Sequence, residues 1–120
     1  MTPVRYRAVR DYETEYQAPM RLEAGARIRV EERASEWPGW AWCVTDAGVG
    51  RWFPAAWLRV EGEDAVLLRD YEPVELPVRA GETLTAAFEE SGWIWATGES
   101  GATGWVPLDH LRPIDPAAEE

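Results

Sequence analysis

The feature that most restricts this chain is an internal repeat whose register drifts. "RDYE" occurs at Arg10–Glu13 and again at Arg69–Glu72, an offset of 59 residues. "AG" recurs at Ala24–Gly25 and Ala80–Gly81, an offset of 56. A G-W-x-W phrase stands at Gly39–Trp42 and Gly92–Trp95, an offset of 53 that then holds for Trp52 and Trp105, Pro54 and Pro107, and Leu58 and Leu111. An offset that shrinks in two steps describes one unit used twice, with two loops longer in the first copy. The 120 residues therefore divide into copies of about 50 to 60, near the lower limit for a domain that folds without metal or disulfide.

Each copy reads as short strands separated by turns. "ARIRVEE" alternates, with Ile28 and Val30 on one face, and "ETLTAAFEE" repeats this with Leu84 and Ala86. "GWAWCVT" sends Ala41 and Cys43 inward and Trp40 and Trp42 outward; "GWIWATG" does the same with Ile94 and Ala96 against Trp93 and Trp95. "GRWFP" and "GWVP" add outward Trp52 and Trp105, so that Trp93 and Trp105 are expected side by side as a shelf. "PAAWL" and "PLDHL" suit single 3-10 turns, because proline starts a helical turn well. No long helical stripe is present, and the pattern predicts small all-β barrels or sandwiches. The seam is expected at Glu61–Asp64, "EGED", as a linker spanning at most about 14 Å. Residues 115–120, with proline and no apolar periodicity, are expected to fray.

Composition limits the chemistry. All twelve basic residues are arginine and the formal net charge is −10, which repels nucleic acid and anionic lipid. The single cysteine, Cys43, rules out an internal disulfide and is expected to pack as a small apolar residue. With Cys43 and His110 alone as soft ligands, no zinc site and no other cofactor is expected. No nucleophile, base and orienting partner converge in the sequence, so the chain is read as non-catalytic. No run is long and apolar enough for a membrane span, and the start lacks a signal-peptide pattern, so a cytoplasmic protein, favoured as a monomer, is expected.

In order and spacing, "AVRDYE", "LEAGARIRV", "GWAWCV" and "RWFPAAWL", followed by "LLRDYE", "VRAGETLTA", "GWIWATG" and "TGWVPLDHL", resemble the SH3 (Src-homology 3) family twice over. They are similar to its ALYDY motif, its K-K-G-E turn, its G-W-W strand and its closing G-x-[IV]-P-x-N-Y-V. The resemblance implies a tandem SH3 protein, of bacterial source, built as two five-stranded barrels over residues 1–60 and 65–114. It implies an adaptor binding a proline-rich or arginine-containing protein segment on aromatic grooves, since a polyproline II ligand is already extended. Carried over, the first groove is Tyr12, Trp40, Trp52, Pro54 and Trp57 with Glu13 and Glu15 as acids. The second is Tyr71, Trp93, Trp105, Pro107 and His110 with Glu72 and Glu75. Asp11 and Asp70 hold loops. Three positions depart from the pattern: Arg10 and Arg69 replace the first ALYDY tyrosine, Ala56 and Asp109 replace the asparagine, and His110 replaces the last tyrosine. Trp40 and Trp93 are read as ligand contacts, Trp42 and Trp95 as packing, and the first copy as the principal site. The alternative is an assembly module whose tryptophan faces pack between domains or on a fixed partner.

Overall fold

The structure, a computed structural model, describes residues 4–33 and 37–115. It contains β1 (Val4–Ala8), β2 (Arg27–Glu31), β3 (Trp40–Val44), β4 (Gly50–Pro54), β5 (Leu58–Glu61), β6 (Asp64–Leu67), β7 (Thr83–Glu90), β8 (Trp93–Thr97), β9 (Thr103–Pro107) and β10 (Leu111–Pro113). Single 3-10 turns at Ala55–Trp57 and Leu108–His110 follow Pro54 and Pro107, as the proline positions predict. The described residues hold no α-helix. The strands form two five-stranded antiparallel sheets, ordered β10-β1-β7-β8-β9 and β4-β3-β2-β6-β5, and neither sheet closes by hydrogen-bonding its edge strands to one another. The fold class is therefore the expected one, all-β and SH3-like, in open rather than closed sheets.

Chain connectivity departs from the repeat. Unit 2 is one stretch, Pro19–Pro73, and unit 1 consists of Met1–Ala18 and Val74–Glu120 on either side of it. The boundaries expected at 1–60 and 65–114 are not those of the structure, because the first strands are exchanged. β1 lies between β7 and β10 of the second copy, and β6 lies between β2 and β5 of the first. Glu61–Asp64 is accordingly no linker. Glu61 pairs with Asp64 across a two-residue hairpin turn, and the ladder continues through Val60 and Ala65 to Leu58 and Leu67. Gly62 has φ +69 and Glu63 does not share its positive φ, the pattern of a II′ turn with glycine first. Such a turn follows the right-handed twist of a strand pair, and only glycine enters it without steric cost. Residues 116–120 of the expected tail lie outside the described residues.

The alternation read from sequence buries most of the expected inward residues. Trp42, Trp93 and Trp105, expected outward, are buried as well, because the indoles pack on neighbouring aromatic rings, and Ala41, expected inward, is only half-buried. Unit 1 packs Ala8, Leu76, Val78, Leu84, Ile94 and Val106 together, with Tyr6 and Tyr12 at the margin. In unit 2 Ile28, Cys43, Phe53, Ala65 and Leu67 are buried. Cys43 is fully covered, as a core thiol should be, and burial pushes its pKa up to about 12. Val30, expected inward with Ile28, is only half-buried.

Candidate functional site

The exchange decides which motif residues meet. Each "RDYE" leaves its first strand and runs beside the other copy's loop. Tyr12 bridges Val78, and Tyr71 bridges Leu22. Asp11 accepts the Ala80 N–H at 2.7 Å, and Asp70 accepts the Ala24 N–H at 2.9 Å. Both aspartates thus fix the "AG" turn of the opposite copy, the loop-holding role expected of them.

In unit 1 this brings Tyr12 against the second copy's aromatic residues. Its ring meets Trp93 edge-on at 5.8 Å and His110 at 5.2 Å. Trp93 is the buried member at 6% exposure, while Tyr12 and His110 are half-buried. Pro107, which starts the turn carrying His110, is buried and pairs with Trp93 across β8 and β9. His110 Nδ1 lies 2.6 Å from Asp109 Oδ1, and Arg10 donates to the Asp109 carbonyl at 2.7 Å, so Arg10 steadies this turn. Glu13 and Glu15 are exposed on the same loop.

Glu75 has a different position from that expected of a ligand-pairing acid. It is half-buried and accepts hydrogen bonds from the Tyr12 hydroxyl and, at 2.8 Å, from Thr14 Oγ1. Burial first, and then the hydrogen bond and charge of Glu75, hold the Tyr12 phenol well above its ordinary range. The backbone N–H of Glu75 donates to Tyr16 at 2.8 Å, so Glu75 ties together the two arms of the loop from which unit 2 is inserted. Thr14 was not singled out from sequence; its spacing two residues beyond Tyr12, on the same side of an extended arm, was the available signal.

Trp105 is also placed differently. It is 2% exposed, against an expected outward face. The 74–76 segment lies along β9, with Trp105 N–H donating to Val74 and Leu76 N–H donating to Trp105, both at 2.9 Å. Phe88 and Trp95 meet its ring edge-on, each at 5.5 Å. The ring is thus packed against its neighbours on the shelf, while the 74–76 arm extends the sheet at the β9 backbone.

Unit 2 gathers Tyr71 with Phe53 at 4.7 Å and Trp57 at 5.5 Å. Tyr71 and Trp57 are buried, and Tyr71 donates its hydroxyl to the Trp52 carbonyl at 2.6 Å. The Arg69 guanidinium lies 3.9 Å over the Trp57 ring, a cation–π contact. Trp40 is half-buried, Pro54 is buried and Glu72 is exposed. Trp52 is half-buried and turns edge-on to Trp42 at 5.1 Å. Trp42, the expected packing residue, is indeed buried, between Trp52 and the Arg33 guanidinium 3.9 Å over its ring. The residues assigned to one groove from each copy are therefore divided between the units: Tyr12, Glu13 and Glu15 stand in unit 1 with Trp93 and His110, and Tyr71 and Glu72 stand in unit 2 with Pro54 and Trp57.

Among the described residues there is no group of three side chains able to hold a metal ion and no helix long and apolar enough to cross a membrane.

Compared with known proteins, residues 5–61 match the family described as the variant SH3 domain. That class consists of protein-interaction modules, typically non-catalytic. The matched span is the first copy, although the structure assigns its β1 to unit 1 and the rest of its strands to unit 2. No curated protein and no solved structure matches the chain.

Proposed function

We propose that the chain is a peptide-binding adaptor whose working groove is in unit 1, formed by Tyr12, Trp93, Pro107 and His110 with Glu13 and Glu15 alongside. The ligand is a proline-rich segment carrying an arginine. Its prolines pack on the half-buried Tyr12 and His110 rings over Trp93, and its guanidinium meets the exposed carboxylates. The observation that carries this reading is the edge-on contact of Tyr12 with both Trp93 and His110. Unit 2 is the poorer site, because Arg69 already covers Trp57.

Expectation from sequence alone favoured Trp40 as the anchor beside Glu13 and Glu15; the exchange instead favours Trp93 and His110. Aromatic anchors dominate such interfaces, and losing one costs about 2 kcal/mol, roughly a 30-fold loss of affinity. Titrating one arginine-containing proline-rich peptide tests this. His110→Ala and Trp93→Ala are expected to weaken binding strongly and Trp40→Ala little, with circular dichroism showing that each variant is folded. Equal binding by wild type and His110→Ala, with loss in Trp40→Ala, overturns the assignment.

A further inference from the structure

The two first strands make the same contacts in each other's copy, register for register. Tyr6 pairs with Leu84 and Ala65 with Ile28; Arg7 pairs with Thr83 and Val66 with Arg27. These pairs are equivalent under the repeat offsets of 59 and 56. On the other edge, Ala8 pairs with Leu111 and Leu67 with Leu58. The Gly81 N–H donates to Ala8 at 2.7 Å, and the Gly25 N–H donates to Leu67 at 2.7 Å. Backbone hydrogen bonding therefore does not distinguish β1 from β6 in either sheet position.

We infer that β1 and β6 are competing strands for the same two sheet positions, and that the closure chosen decides which aromatic platform receives the Tyr12–Glu13–Glu15 segment. In the observed closure that platform is Trp93 and His110; in the other it is Trp40 and Trp57. The inference rests on the proposed reading only for the functional meaning of that choice.

Two features select the observed closure. The first is the turn. Closing each copy on itself sends Glu61 and Asp64 to different units, across at most about 11 Å of chain, whereas the II′ turn holds them as direct partners. The second is core volume. Unit 1 takes a small residue at Ala8, 2% exposed, with Tyr6 at its margin; unit 2 takes Ala65, fully covered, with Leu67, 1% exposed. In the opposite closure a tyrosine enters the Ala65 position and a leucine the Ala8 position. Both are overpacked, and well-packed cores resist added volume.

The test lets position 5 choose its partner. Arg5 lies opposite Thr85 in the observed closure, and the equivalent of Thr85 in the first copy is Arg29. Arg5→Cys, Arg29→Cys and Thr85→Cys are combined in a Cys43→Ala background, and the protein is equilibrated at low concentration in a glutathione buffer. With the native turn, position 5 is expected to link to 85 within one chain. A flexible insert of about six Gly/Ser residues between Gly62 and Glu63 removes the first selector, and core volume still directs position 5 to 85. Adding Tyr6→Ala, Ala8→Leu, Ala65→Tyr and Leu67→Ala to the insert reverses the second selector, and the link is expected to move to 29. The smaller pair Ala8→Leu and Leu67→Ala, with the insert, is expected to give both links and serves if the larger set does not fold. A link that stays wholly at 85 in both volume-exchanged proteins, or that joins two chains, overturns the inference. These links report closure whether or not a peptide binds, and peptide titration reports binding whichever closure forms.

Discussion

At the scale of single residues, three positions show how tightly local chemistry is matched to the fold. Gly50 lies under the Trp42 indole. A Cβ built there would collide with Trp42 Cζ2, and Trp42 is held by Trp52 and Arg33. Gly50→Ala is therefore expected to destabilise by about 1–3 kcal/mol, the usual cost of overpacking, read as a lower urea midpoint at unchanged slope. Tyr12 and Cys43 give the molecule an alkaline limit. Both have folded pKa values raised above their unfolded values of about 10 and 8.5. Their contribution is fully present below the unfolded pKa and is lost as pH rises toward the folded one. Stability is expected to fall from about pH 8.5 upward and more steeply beyond about pH 10. Cys43→Ala should flatten the first part and Tyr12→Phe the second in urea titrations at each pH. Tyr12→Phe should also cost about 1–2 kcal/mol at neutral pH, because half-buried Glu75 loses a donor.

At the scale of elements, the hairpin at Gly62–Glu63 is the smallest feature with the largest consequence. A side chain at its positive φ costs about 1–2 kcal/mol, so Gly62→Val is expected to lower the unfolding midpoint. Asp46→Ala, in an exposed turn residue without that φ, should leave it nearly unchanged. The carboxyl of Glu61 beside this turn is held below its ordinary range by hydrogen bonds from Arg59 and then Arg27. Much of the element pattern was legible in the sequence. The β2, β3, β7 and β8 strands, the two proline-started turns and the burial of Leu84, Ile94 and Cys43 follow from alternation and turn chemistry alone. What misled was "EGED". Charge and glycine read as a linker, yet alternating Leu58 and Val60 before it and Ala65 and Leu67 after it are also a hairpin signal. Repeat symmetry outweighed that signal, because a repeat reveals which contacts are made and not which copy supplies the partner strand.

At the scale of the whole molecule, the exchange explains why the candidate site was only half legible. Tyr12, Trp93, Pro107 and His110 were each visible as motif residues, but they were sorted into two grooves by sequence neighbourhood. The burial of Trp105 and the capture of Glu75 were not legible, since the first depends on Phe88 and Trp95 closing on its ring and the second on the 74–76 arm lying along β9 within reach of Tyr12. One unit is inserted into the loop of the other, and each "RDYE" segment serves the copy to which it does not belong. The most direct test of that account is solution NMR of the dilute protein. Cross-strand nuclear Overhauser contacts are predicted between the backbones of Tyr6 and Leu84 and between those of Ala65 and Ile28, with no contact between Tyr6 and Ile28. Contacts of Tyr6 with Ile28 and of Ala65 with Leu84 would contradict it, because two copies closed on themselves require those pairs.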